Sequence, residues 1–200
     1  FDRLGITLEY GVYPPLRANT LLNTGKIDVE GLRAAGYEND NPAAVIVRES
    51  ILTTKYGYAT VDPDIQLERL ADLEKASYRV EYLRGVEPLG DMLAAHLPEG
   101  YLFAITSPEQ GLHKLLAGRS DVFVDFPGRL SALKESLGLT ISGIRVAEFE
   151  DDIVVYPVLH RRHADLAQPL QQVLSEMKAQ GLFEQYMEET RKIFLLPHDQ

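Results

Sequence analysis

No cysteine occurs in this chain, which excludes a disulfide scaffold, a thiolate metal site and a cysteine nucleophile. A cysteine-free chain suits a reducing or an oxidising compartment equally, so this absence leaves location open. No apolar run approaches the roughly twenty residues that span a bilayer, which excludes a transmembrane helix and direct membrane insertion. Basic residues are thinly spread: 20 Lys and Arg against 30 Asp and Glu leave a formal charge of −10. Nucleic-acid binding needs a concentrated basic face, so that partner is excluded. Neither a Gly-x-Ser-x-Gly elbow nor a phosphate loop is present, and enzyme chemistry has no obvious seat. The chain does not begin with Met. Its opening FDRLG reads as the last turn of a helix stopped by Gly5, and upstream residues are expected before Phe1.

What is there is an ordinary globular composition, 45% hydrophobic and 25% charged over 200 residues. That length makes one domain or two lobes of about a hundred residues each. Ile6 to Tyr13 alternates apolar and polar residues and predicts a strand. Pro14-Pro15 then opens a helix ending at Gly25. IDVEGLRAA predicts a short strand, and AVIVRE and KYGYATV two more, separated by SILTT. After a polar break at DPDIQ, the pattern turns regular. A short helix to Lys75 precedes strand YRVEYL, a helix from about Val86 to His96, strand YLFAIT, a helix from Pro108 to Ala117, and strand DVFVDF. Such alternation predicts a parallel sheet. A helix to Leu137 and strand ISGIRVAEF follow, until Glu150 to Asp152 break the pattern. A further strand, IVVYPVLHRR, leads into a helix closing at Gly181, with Leu166, Leu170, Val173, Leu174 and Met177 on one stripe. A last helix runs from about Phe183 to Lys192.

One phrase occurs twice. LLNTGKIDV (Leu21 to Val29) and LLAGRSDV (Leu115 to Val122) share Leu-Leu, a glycine, a cation, one free position and Asp-Val. Both leave a helix and enter a strand. Asp28 and Asp121 therefore sit at strand starts, where accepting backbone N–H groups at the turn is their expected task.

The order and spacing of LLNTGKIDVEGLR, LADLEKASYRVEYLRGV, SPEQGLHKLLAGRSDVFVD and YPVLHRRHADL resembles the type II periplasmic solute-binding proteins. The likeness is to the extracellular family three of polar amino-acid receptors, and it covers nearly the whole chain. It implies an α/β fold of two lobes, each a mostly parallel sheet flanked by helices and joined by two crossover strands. Residues 1–61 with 150–200 would form the first lobe, and residues 62–149 the second. The first lobe would lack its N-terminal strand.

Several residues become candidates for the interlobe cleft. Asp125 ends a predicted parallel strand, the edge where ligands gather in open α/β sheets. The resemblance implies pairing with a ligand ammonium there; the alternative is a cap on the helix beginning near Pro127. Arg33 ends the corresponding first-lobe strand and suits a carboxylate through two parallel hydrogen bonds. Otherwise it pairs with Glu30 or Glu38. In the amino-acid receptors the carboxylate-binding arginine lies later, after a Thr-rich stretch, where this chain has AAGYENDNPAA. Arg84 and Gly85 form a strand-to-helix turn whose free N–H groups favour an anion, although Val86 replaces the family's usual threonine. Ser107 fits a helix cap with Gln110 better than a ligand contact. Tyr56 and Tyr58 line a cleft or pack a core. Among the histidines only His160 and His163 are close, and a strand-to-helix boundary between them argues against a metal. No cofactor is implied.

The expected activity is non-catalytic binding of a small polar solute, an amino acid or other carboxylate, by a monomer in the periplasm or another extracytoplasmic space. A transporter permease or a sensor kinase would read the closure. The alternatives are an enzyme on the same fold, resembling cyclohexadienyl dehydratase, and a regulatory module that has lost its ligand.

Overall fold

The computed structural model describes residues 1–86, 88–139 and 143–195. Predicted strand positions Ile141 and Ser142, and His198, lie outside them. A seven-stranded mixed sheet runs in the order β1-β7-β3-β6-β4-β5, with β2 also pairing β7. Strands β4 (Val80–Leu83), β5 (Leu102–Ile105) and β6 (Val122–Asp125) are parallel to one another. Helices α3 (Leu89–Ala94) and α4 (Pro108–Leu116) make the two crossovers that parallel pairing demands. At the other end, β1 (Val29–Ala34) and β2 (Ala44–Ile46) both lie antiparallel to β7 (Arg145–His160). The expected parallel sheet is thus found for the second segment, whereas the described strands of the first are antiparallel.

Two long strands join the ends. β3 (Leu52–Thr60) pairs with β7 from Leu52↔Val155 to Thr60↔Arg145, and with β6 at Gly57↔Asp125. Period-two alternation sets what each buries. Tyr56, Tyr58, Val122 and Val124 enter one cluster with Leu83, Val86, Phe149 and Ala34, while Ala59 and Phe123 enter another with Leu112, Leu115 and Leu130. The first cluster is continuous from Ala34 to Leu93 and crosses the joining strands. On the second side Glu81 is buried between Phe103 and Phe123 in register and is capped by Lys114 of α4.

Three expectations need correction. The segment Ile6 to Tyr13 is not a strand: it has no ladder partner, and Tyr10 and Val12 stand 92% and 93% exposed. Alternation selects a strand only where a neighbouring strand or core face accepts it. SILTT does not separate two strands completely, because β3 already begins at Leu52. Nor do Glu150 to Asp152 end a strand; Glu150 and Asp151 lie in a bulge inside β7, between the pairs Gly57↔Glu148 and Lys55↔Asp152. The bulge persists because its polar groups are engaged. The Glu150 N–H donates to the Glu68 carbonyl, and Asp151 accepts from the Leu70 N–H and from Arg69.

The repeated phrase has one structural meaning in both places. α1 (Pro15–Asn23) and α4 each end in a left-handed glycine, Gly25 at φ 68° and Gly118 at φ 64°. Gly25 N–H reaches the Leu22 carbonyl and Lys26 N–H the Leu21 carbonyl; Gly118 and Arg119 repeat this with Leu115 and Lys114. This paired bonding closes a helix C-terminus and requires the left-handed residue. An arginine from the adjacent strand end then locks each turn. Arg162, just past β7, donates to the Gly25 carbonyl and to Asp28, while Arg79, just before β4, donates to the Gly118 carbonyl and to Asp121. Asp121 also accepts the Arg79 backbone N–H, as the turn reading expects. Asp28 does not follow that expectation: its carboxylate takes the guanidinium of Arg162 and the imidazole of His163.

Hydrogen bonding from Arg79 holds the Asp121 carboxyl below its ordinary value of 3.8, and Arg162 with His163 does the same for Asp28. A carboxylate whose pKa falls on folding stabilises the fold above its unfolded value and loses that contribution as pH falls through the folded one. Asp121→Asn should therefore flatten the acid limb of the Tm-against-pH curve below about pH 3.8. An unchanged acid limb would show that the clamp is idle.

Candidate functional site

Two of the sequence-selected residues, Arg33 and Gly85, meet at the seam where α1 reaches the turn after β4. Gly85 (φ 86°) is buried there; a Cβ on it would lie 2.5 Å from the Leu16 nitrogen and 2.7 Å from the Leu16 Cα. Only glycine satisfies both the angle and the approach. Across this contact, Asn19 of α1 donates through Nδ2 to the Gly85 carbonyl at 3.3 Å.

Asn19 is the hub of a buried polar cluster. Its Oδ1 accepts from Arg33 Nη2 at 3.2 Å and from the Tyr37 hydroxyl at 3.1 Å. Arg33, on β1, closes a two-pronged bond onto Glu30, with Nε to Oε2 at 3.0 Å and Nη2 to Oε1 at 2.9 Å, and lies over the Tyr37 ring. Burial works against the Arg33 charge, but Glu30 outweighs it and leaves the guanidinium more basic. Burial also pushes the Tyr37 hydroxyl up, reinforced by Glu30, so it stays a donor. Of the two pairings open to Arg33 inside the chain, Glu30 is the one formed; Glu38 pairs with Arg48.

Asp125 sits at the end of β6 with a side chain 0% exposed, as strand-end placement expects. Its carboxylate accepts from the Phe126 N–H at 2.8 Å and from Arg129 Nη1 at 3.0 Å. Helix α5 (Pro127–Ser136) has no side-chain cap, so Asp125 anchors its first turn through Arg129 instead. Burial pushes the Asp125 carboxyl above its ordinary value, and Arg129 offsets only part of this. Tyr56 lies buried, 5.1 Å from the Phe126 ring centroid. Tyr58 is core: its hydroxyl accepts the Leu67 N–H and its ring packs on Phe149.

Arg84 is exposed. Its N–H extends the β4–β5 ladder to the Ile105 carbonyl, and its side chain has no partner among the described residues. Ser107 stands at the cap position of α4 but makes no capping bond. The expected Ser-x-x-Gln box is displaced by one residue: Gln110 Oε1 accepts the Thr106 N–H, and the Ser107 hydroxyl turns to Glu109. No group of three or more metal-ligating side chains occurs among the described residues.

The fold thus brings Arg33 and Gly85 together through Asn19, which the sequence reading missed. A signal existed: Asn19 lies three residues before buried Leu22, a polar residue on the apolar side of a helix. Arg129 was equally visible, four residues after Asp125.

No family model matches the chain. An uncharacterized protein of Shewanella oneidensis is 30% identical over 192 residues, covering 96% of this chain and 73% of that protein. A histidine kinase sensor domain with similarity to periplasmic binding proteins superposes with a TM-score of 0.76 at 16% identity, covering 94% of this chain and 80% of that one. An ancestral arginine-binding protein bound to glutamine gives 0.73 at 16% identity, covering 94% and 81%. At such identities the likeness establishes the mixed α/β fold of periplasmic binding proteins and nothing finer.

Removing the Asn19 amide takes the side-chain donor from the buried Gly85 carbonyl and one acceptor each from the Tyr37 hydroxyl and from Arg33 Nη2, which keeps Glu30. Asn19→Ala should cost about 2 kcal/mol in a denaturant titration, the scale of leaving buried polar groups unpaired. A loss below about 0.5 kcal/mol, the range of ordinary surface substitutions, would contradict a bridging role.

Proposed function

The chain belongs to the same family as the Shewanella oneidensis protein, and from that premise we propose that it is a non-catalytic solute-binding module. Its solute is small and polar, an amino acid or another carboxylate. The fold likeness to an amino-acid-binding protein and to a sensor domain supports the class. The single observation that carries the reading is the seam itself: Leu16 and Asn19 meet Gly85 at the carboxyl end of β4, where open α/β sheets hold their ligands.

On this reading residues 1–61 with 150–200 make one lobe and residues 62–149 the other, with β3 and β7 as the crossing strands. The solute favours the closed form by touching both lobes, which gives it a higher affinity for that form and so shifts the equilibrium. Arg84 is the seam cation free to take an anionic group, assisted by N–H groups at the Gly85 turn. Arg33 and Asp125, each already ion-paired, shape the seam walls; a solute carboxylate reaches Arg33 only by displacing Glu30. The module works outside the cytoplasm, passing solute to a transporter permease or reporting it to a kinase.

A thermal-shift screen over amino acids, dicarboxylates and polyamines tests this. A cognate solute at a hundred times its Kd stabilises the native state by about 2.7 kcal/mol, and it should be recovered unchanged. Arg84→Ala should weaken an anionic hit at least tenfold. A screen without any stabilising solute would contradict the reading, and turnover of a hit would move the chain to the lyases.

A further inference from the structure

A cavity of about 330 Å³, sharing no lining residue with the Asn19 cluster, is walled by Thr53, Thr54 and Lys55 of β3, Pro127 and Gly128 of α5, and Glu148 and Asp152 of β7. That volume is at the lower end of small-molecule sites. It exists for identifiable reasons. β6 ends at Asp125, opposite Gly57, so β3 runs on from Lys55 to Thr53 without a β6 partner. α5 comes down hard on β3 at this point: a Cβ at Gly57 would lie 2.7 Å from Pro127 Cγ and 2.5 Å from the Ala147 carbonyl oxygen. The β7 bulge, pinned from the far side by Glu68, Arg69 and Leu70, separates Glu148 from Asp152 and places both on the cavity wall.

The wall carries both charges, and its Lys55–Asp152 ion pair is long and exposed. Glu148 and the hydroxyls of Thr53 and Thr54 have no partner among the described residues, and Lys55 Nζ is 3.9 Å from Asp152, beyond hydrogen-bond reach. Gly128 and Arg129, in the first turn of α5, have backbone N–H groups without an acceptor among the described residues. We propose that this cavity binds a small zwitterion, with its ammonium against Glu148 and Asp152 and its carboxylate against Lys55 and the Gly128 N–H. Charge-assisted bonds at both ends reject molecules that carry only one of the two charges. Because the cavity is built on β3 and β7, occupancy bears on the strands that join the two ends of the sheet. The inference takes the solute-binding reading as its basis and assigns that reading a second, separate site.

The test is calorimetric titration of the intact chain with glycine, L-glutamine, L-arginine and γ-aminobutyrate, repeated on Gly128→Phe and Glu148→Gln. A Cβ at Gly128 meets nothing within 4 Å, so a side chain can start there without a clash, and phenylalanine adds bulk at the cavity wall. Far-ultraviolet circular dichroism and an unchanged Tm confirm that the variants fold. At least one zwitterion should bind, its N-acetyl form should not, and each substitution should weaken binding tenfold or more, with Arg84→Ala leaving this site intact. Binding that survives Gly128→Phe and falls only with Arg84→Ala overturns the cavity assignment while sustaining the seam reading. Absence of binding by all four zwitterions overturns the cavity assignment; a hit elsewhere in the thermal-shift screen would still sustain the seam.

Discussion

Everything in this molecule hangs on the antiparallel ladder between β3 and β7. Among the described residues, the parallel strands β4, β5 and β6 connect with β1 and β2 through this ladder. Its register decides which tyrosines enter the core: a one-residue slip would turn Tyr56 and Tyr58 out of the cluster that holds Ala34 and Val86 together. The bulge at Glu148 to Asp152 is the one departure from regular pairing in its middle, and it is pinned from outside the ladder. Bulges recur where strands re-aim side chains, and this one aims two carboxylates at a cavity.

At either end of that ladder the chain solves the same local problem in the same way. A helix must stop, reverse and deliver a strand into the sheet, and a left-handed glycine followed three residues later by aspartate does so at Gly25 and Gly118. The arginine that ties glycine carbonyl to aspartate comes from whichever strand end lies alongside. That is the start of β4 for the parallel pair and the end of β7 for the antiparallel pair, so the two clamps share chemistry without sharing sequence position. Partly exposed ion pairs contribute little singly, about 1 kcal/mol or less; here their value lies in fixing where the helices α1 and α4 end.

Much of this was legible before any coordinates. Helix ends at Gly25 and Gly118 and the strands from β1 to β6 follow from periodicity and glycine placement, while the fold was implied by the resemblance that the phrase order carries. What could not be read depends on contacts distant in sequence. Exposure of Leu8, Tyr10 and Val12 turns on the absence of a partner for their segment among the described strands, which alternation alone cannot report. Continuation of β7 through three acids depends on Glu68, Arg69 and Leu70, some eighty residues away in the chain. Strand-end positions single out Arg33, Gly85 and Asp125 in the sequence, but their partners Glu30, Asn19 and Arg129 decide what those groups are free to do.

That last point shapes the functional picture. Arg33 and Asp125 are ion-paired to Glu30 and Arg129, so the proposed solute contact falls to Arg84, whose side chain has no partner among the described residues. The seam is therefore a wall-and-latch arrangement, with Asn19 spanning it, more than a preformed cage of ligand charges. Solute-driven movement across this seam is the central claim, and the absence of cysteine makes it directly measurable. Spin labels on Thr20→Cys in α1 and Asp91→Cys in α3, both exposed positions, report the distance across the seam by double electron–electron resonance. A stabilising solute should narrow the distance distribution and shift its weight to the shorter separations; a distribution unchanged at saturating solute would contradict hinge closure as the output of binding.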